Sequence, residues 1–133
     1  MTVIRSWSLL RQALLVDAVC SGLMGLGLVV MAPVLAEFLV LPASLLSQAG
    51  IALIPFAAFV AWLASRRNPS PWAVWTVIGL NVLWVVDSAL LLLTKQVVPN
   101  AIGYGFIVGQ AVVVALFAEW EYVSLRKEAV ETP

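Results

Sequence analysis

The sequence predicts an all-α membrane protein: four transmembrane helices in an antiparallel bundle, built as two helical hairpins that read as a repeat. Three observations predict it. Of 133 residues, 63% are apolar and only 11% are charged, against about 45–50% and about 25% in soluble domains. Four apolar stretches each reach the roughly 20 residues needed to cross a hydrocarbon core about 30 Å thick. Once those stretches are threaded back and forth, Arg5, Arg11, Arg66, Arg67, Arg126 and Lys127 share one side, and only Lys95 lies on the other.

The first span falls near Leu9–Met31, bounded by Pro33, Glu37 and Pro42 in "MAPVLAEFLVLPAS". It reads as a retained span. A cleaved signal has an apolar region of about 7–15 residues, and this stretch is longer and contains Asp17. The second span falls near Leu45–Ala64. Pro55 lies inside it and should kink it, and a neighbouring helix should cover the freed carbonyl, because lipid supplies no water there. The third, near Pro71–Leu93, opens on Ser70 followed by Pro71, a hydroxyl at the N-cap and a proline at the first helical position. The fourth, near Ala101–Val123, follows "TKQVVPN". Residues 1–133 then form a single integral membrane domain.

Positive residues favour the cytoplasmic side. That rule predicts a multi-pass protein of the cell inner membrane with both termini in the cytoplasm. Trp7, Trp62, Trp72, Trp75, Trp120 and Tyr122 fall at the same interface, where amphipathic rings prefer to sit.

The halves also align. "LLVDAVC" matches "WVVDSAL" across Asp17 and Asp87, "VLPAS" matches "VVPNA", and "WLASRR" matches "YVSLRK". Two hairpins of like orientation would be related by an axis along the membrane normal. Any two apolar hairpins also align about this well.

Much chemistry is excluded. There is no histidine, and Cys20 is the only cysteine, so the commonest general base and the usual soft metal ligands are lacking. No metalloprotease, phosphate-binding, nucleophile-elbow or dinucleotide motif occurs. Zero net charge implies no nucleic-acid partner. We expect no cofactor, no metal and no catalytic residue, and a protein that is not an enzyme.

The candidate site residues are the intramembrane acids. Asp17 lies ten residues beyond Trp7, about 15 Å at helical rise, and Asp87 twelve beyond Trp75, about 18 Å. Both should therefore stand near the bilayer centre at similar depth, facing the bundle interior and candidates to bind a proton or cation together. A charged aspartate there costs about 2.5–3.5 kcal/mol even on the lenient insertion scale. Ser21, Asn81, Trp84, Ser88, Gln48 and Gln110 are the supporting polar residues. Thr76, Asp87 and Thr94 align along one line of the third helix. Each acid read as a hydrogen-bonding pin between helices is the competing, structural explanation. Glu119 and Glu121, flanking Trp120, read as solvated interfacial charges, and Glu37 and Lys95 as a pair across the outer loops.

Small residues read as packing faces. Gly22 and Gly25 in the first span, and Gly105 and Gly109 in the fourth, let helix backbones approach closely. They serve the bundle itself or a homodimer or larger membrane complex.

The layout of four short spans with an acid in the first is similar to that of the small multidrug-resistance transporters. Those use a glutamate and take the second acid from a partner subunit, so no residue role carries across. The function expected is that of a small accessory or interaction protein of the membrane. The alternative is a small proton- or cation-coupled transporter using Asp17 and Asp87.

Overall fold

A computed structural model describes residues 8–131, with side chains described as far as Lys127; Arg5 and Trp7 lie outside the described residues. The four helices are α1 (Leu9–Leu39), α2 (Ala43–Ser65), α3 (Pro71–Leu93) and α4 (Ala101–Glu131), and each is long and apolar enough to cross a membrane.

The inner pair of boundaries follows the sequence closely. Ser70 is the N-cap of α3 with Pro71 at its first position, although the Ser70 side chain makes no capping bond. Ser8 does cap α1, accepting from the Arg11 amide at 3.2 Å.

The outer pair runs longer than the sequence implied. α1 passes through Pro33 and continues to Leu39, and α4 continues beyond Val123 to Glu131, so each is 31 residues. A proline costs a helix one bond and crowds the carbonyl four residues back, but breaking the helix in lipid would expose several more polar groups. The end of α4, "SLRKEAVE", is rich in strong helix formers and carries the helix past the apolar stretch. At about 46 Å of rise, both helices exceed the hydrocarbon thickness. α1 stops where Val40 takes a left-handed conformation at φ 56°, after which Pro42 caps α2.

α1 and α2 pack along their whole length, α3 and α4 pack as the second hairpin, and α1 joins the hairpins by packing on α4. α2 and α3 scarcely touch. A twofold relation between hairpins would make the α2–α3 contact equal to the α1–α4 contact, so this packing departs from the symmetry that the aligned halves imply. The α1–α2 crossing is tight because Gly25 meets Gly50. A Cβ on Gly50 would stand 2.6 Å from the Gly25 carbonyl oxygen, and one on Gly25 would stand 3.0 Å from the Leu53 Cβ. Gly22 packs more loosely, 3.6 Å from the Ala57 Cβ.

Two apolar clusters fill the interior. The first, at the end bearing Arg66 and Arg67 (here the basic end), draws on all four helices: Leu10 and Leu14, Val60 and Leu63, Val74 and Val77, Ala118 and Leu125. The second lies toward the opposite end around Leu28, Leu39, Leu46 and Ile107. Trp62, Trp72 and Trp75 are exposed around the basic end, with Trp75 edge-on to Tyr122 at 5.5 Å and Arg66 over the Trp62 ring.

Candidate functional site

The acids do not meet as their sequence contexts suggested. Asp17 is buried, at 1% exposure, whereas Asp87 is exposed. They also differ in depth. The Arg11 guanidinium donates to the Ala64 and Ser65 carbonyls at the end of α2. Asp17 follows six residues later, about 9 Å deeper, so it stands toward the basic end. Asp87 precedes the end of α3 by six residues, about 9 Å from the opposite face. Counting from an aromatic ring misled because Trp7 precedes the start of α1 at Leu9 in the sequence, whereas Trp75 lies four residues inside α3, so the two counts begin at different heights.

Asp17 instead belongs to a cluster of three helices. One turn on along α1, Ser21 Oγ donates to Asp17 Oδ1 at 3.1 Å. From α3, Asn81 Nδ2 donates to Asp17 Oδ2 at 2.9 Å and also to Glu121 Oε1 of α4 at 2.9 Å. Asn81 Nδ2 therefore bridges the Asp17 and Glu121 carboxyls. The Glu121 carboxyl is completely buried, and its second oxygen, Oε2, has no partner. Glu121 is therefore not the solvated interfacial charge that its neighbours Trp120 and Tyr122 implied. Glu119 is exposed, as expected of its position.

Glu121 was legible in one respect. It follows Gln110 by eleven residues, three helical turns, so the two polar side chains of α4 share a face. The same logic picks out Asn81 and Ser88 on α3, seven apart and both buried. The line of Thr76, Asp87 and Thr94 lies on the outward face instead. Thr76 and Thr94 are exposed and satisfy their hydroxyls on their own helix, at the Trp72 and Leu90 carbonyls.

The remaining polar residues gather toward the opposite end. Trp84 Nε1 donates to Gln110 Oε1 at 2.6 Å rather than to a carboxylate, and Gln110 Nε2 donates to Ser88 Oγ at 3.0 Å. Ser88 in turn donates to the Trp84 carbonyl. This network forms part of the wall of a crevice of about 320 Å³ between the hairpins, where α2 and α3 diverge. Asp87 and Gln48 also line it, amid Leu45, Leu91 and Phe106. Asp87 has no hydrogen bond or ion pair among the described residues. A second crevice of about 340 Å³ lies between α1 and α4. Gly105 and Gly109 line it, and a Cβ on either would meet nothing within 4 Å. These two glycines thus do not pack within the bundle, in contrast to Gly22 and Gly25. Glu37 and Lys95 are both exposed and form no ion pair with each other.

Two sites result. The side chains of Asp17, Asn81 and Glu121 line neither crevice, although Ser21 lines the second, and the cluster can hold helices together or hold a proton. The crevice at Asp87 is open to an incoming apolar group that brings a hydrogen-bond donor. No known family model, curated protein or solved structure matches this chain, so the likeness to the small multidrug-resistance transporters rests on layout alone.

Proposed function

We propose that the chain is a small accessory or interaction protein of the cell inner membrane, with both termini cytoplasmic, acting through contacts within the bilayer rather than by catalysis. The observation that carries this reading is the unfilled side of the bundle. α2 and α3 leave an apolar crevice whose wall presents Asp87 without a partner among the described residues. An acid facing lipid is costly, and a neighbouring transmembrane helix offering a donor would relieve that cost. The open glycine face of α4 adds a second surface suited to close helix approach, either to another copy or to a different membrane protein. The loops, short as they are, favour contact within the membrane over a soluble site.

A photo-activated cross-linking residue placed at Leu91 or Ala49, inside the crevice, tests this in native membranes. The expected result is a defined polypeptide adduct at both positions and none at Val82, on the exposed side of α3. Lipid adducts alone at all three positions would contradict it. The alternative of a proton- or cation-coupled transporter, in the form that pairs Asp17 with Asp87, draws no support from two acids held at different depths.

A further inference from the structure

Four carboxyl oxygens meet in the cluster between the hairpins, and the hydrogens available to them can be counted. Ser21 supplies one, to Asp17 Oδ1. The Asn81 amide has two, and spends them on Asp17 Oδ2 and Glu121 Oε1. Nothing reaches Glu121 Oε2, which is sealed from solvent. Three hydrogens serve four oxygens. If the Asn81 amide were turned over, its oxygen would face the acids and the deficit would grow.

Charge gives the same answer. Among the described residues, the basic side chains are engaged elsewhere or exposed. On α1, Arg11 is engaged with the end of α2. On α2, the buried residues at this end are Val60, Leu63 and Ala64, and Arg66 lies over Trp62. α3 contributes Asn81 among Val74, Val77 and Ile78. On α4, Arg126 is exposed and bonded to the Tyr122 hydroxyl, and Glu119 is exposed. Two full negative charges bridged by one amide nitrogen, out of water and without a cation among the described residues, would repel strongly and forfeit their hydration. Among the described residues no third acid, histidine or cysteine gathers with them as a metal-binding group.

We propose that Asp17 and Glu121 hold one proton between them, so that the cluster is a proton-binding site shared by the two hairpins. The proton is taken from water. It forms an O–H bond on one carboxyl and donates to the other, which supplies the fourth hydrogen and leaves a single negative charge held by Ser21, Asn81 and that O–H. Because Asp17 belongs to the first hairpin and Asn81 and Glu121 to the second, proton release sets like charges against each other across their interface. The hairpins are bound more tightly with the proton than without it. This site is independent of what occupies the crevice at Asp87.

Infrared spectroscopy of the purified full chain in lipid vesicles tests the proposal. At neutral pH the wild type should show the carbonyl stretch of one protonated carboxyl. Glu121→Gln should remove that band, because its amide replaces the O–H as donor to Asp17, and Asp17→Asn should remove it by the mirror arrangement. Asp87→Asn should leave it. Wild-type stability should fall as pH rises and the proton is lost, and Glu121→Gln should abolish that fall while keeping the fold. If Glu121→Gln does not fold, Asp17→Asn provides the same pair of readings. A wild type without the band, a band that survives both amide variants, or a folded amide variant that keeps the alkaline fall would each overturn the proposal.

Discussion

At the basic end of the bundle, Asp17 is buried, receives hydrogens from Ser21 and Asn81, and shares Asn81 with Glu121. Toward the opposite end, Asp87 stands on the wall of a crevice with no partner among the described residues. The local sequences are nearly interchangeable, "LLVDAVC" and "WVVDSAL". The difference lies in the neighbours of each helix. α1 is central, packed by α2 on one flank and α4 on the other, whereas α3 has only α4 as a close neighbour. An acid on the central helix is wrapped by its surroundings; one on the flanking helix is left at the gap. Intramembrane burial is thus a property of helix adjacency, which short sequence context does not carry.

The comparison can be broken by removing its polar ties. Asn81→Leu withdraws the donor shared by both carboxyls of the closed end, and loss of a hydrogen bond to a charged group costs about 1.5–3 kcal/mol. Reversible unfolding in mixed detergent micelles should register a loss of that size. Gly50→Val, at the tight crossing of α1 and α2, forces a Cβ against the Gly25 carbonyl; overpacking of this kind costs about 1–3 kcal/mol, measured in the same way. Gln110→Leu in the crevice network breaks neutral hydrogen bonds in a partly exposed place, so about 1 kcal/mol is expected. The smallest effects belong to the open side. Gly109→Ala and Asp87→Asn should each stay within about 0.5 kcal/mol of wild type, since the first meets nothing within 4 Å and the second loses no partner. A large loss from Asp87→Asn would mean that the two ends are alike after all.

Much of the fold was legible in the sequence. Apolar length, the Ser70–Pro71 start and the tight turns marked four helices and two hairpins, because lipid leaves so few ways to satisfy a backbone. What failed were features set by tertiary contact. Pro33 looked like a terminus, yet α1 runs through it. On α3, the line of Thr76, Asp87 and Thr94 looked like the polar seam, although threonines that bond their own helix need no interior. The seam is the Asn81–Ser88 face. Glu121 was misread because its aromatic neighbours imply an interface. Its register with Gln110 held the correct signal, and only the position of α1 gives that register meaning. Gly22 and Gly25 pack inside, but Gly105 and Gly109 do not, a distinction invisible to a spacing rule that treats all four alike.

The separation of the two acids is tested most directly by a pair of double-mutant cycles read as unfolding free energies. Asp17→Asn combined with Glu121→Gln should show coupling between about 0.5 and 3 kcal/mol, as residues in one network do, while Asp17→Asn combined with Asp87→Asn should be additive within about 0.5 kcal/mol. Additivity in the first cycle, or coupling in the second, would mean that Asp17 has a different partner from the one described.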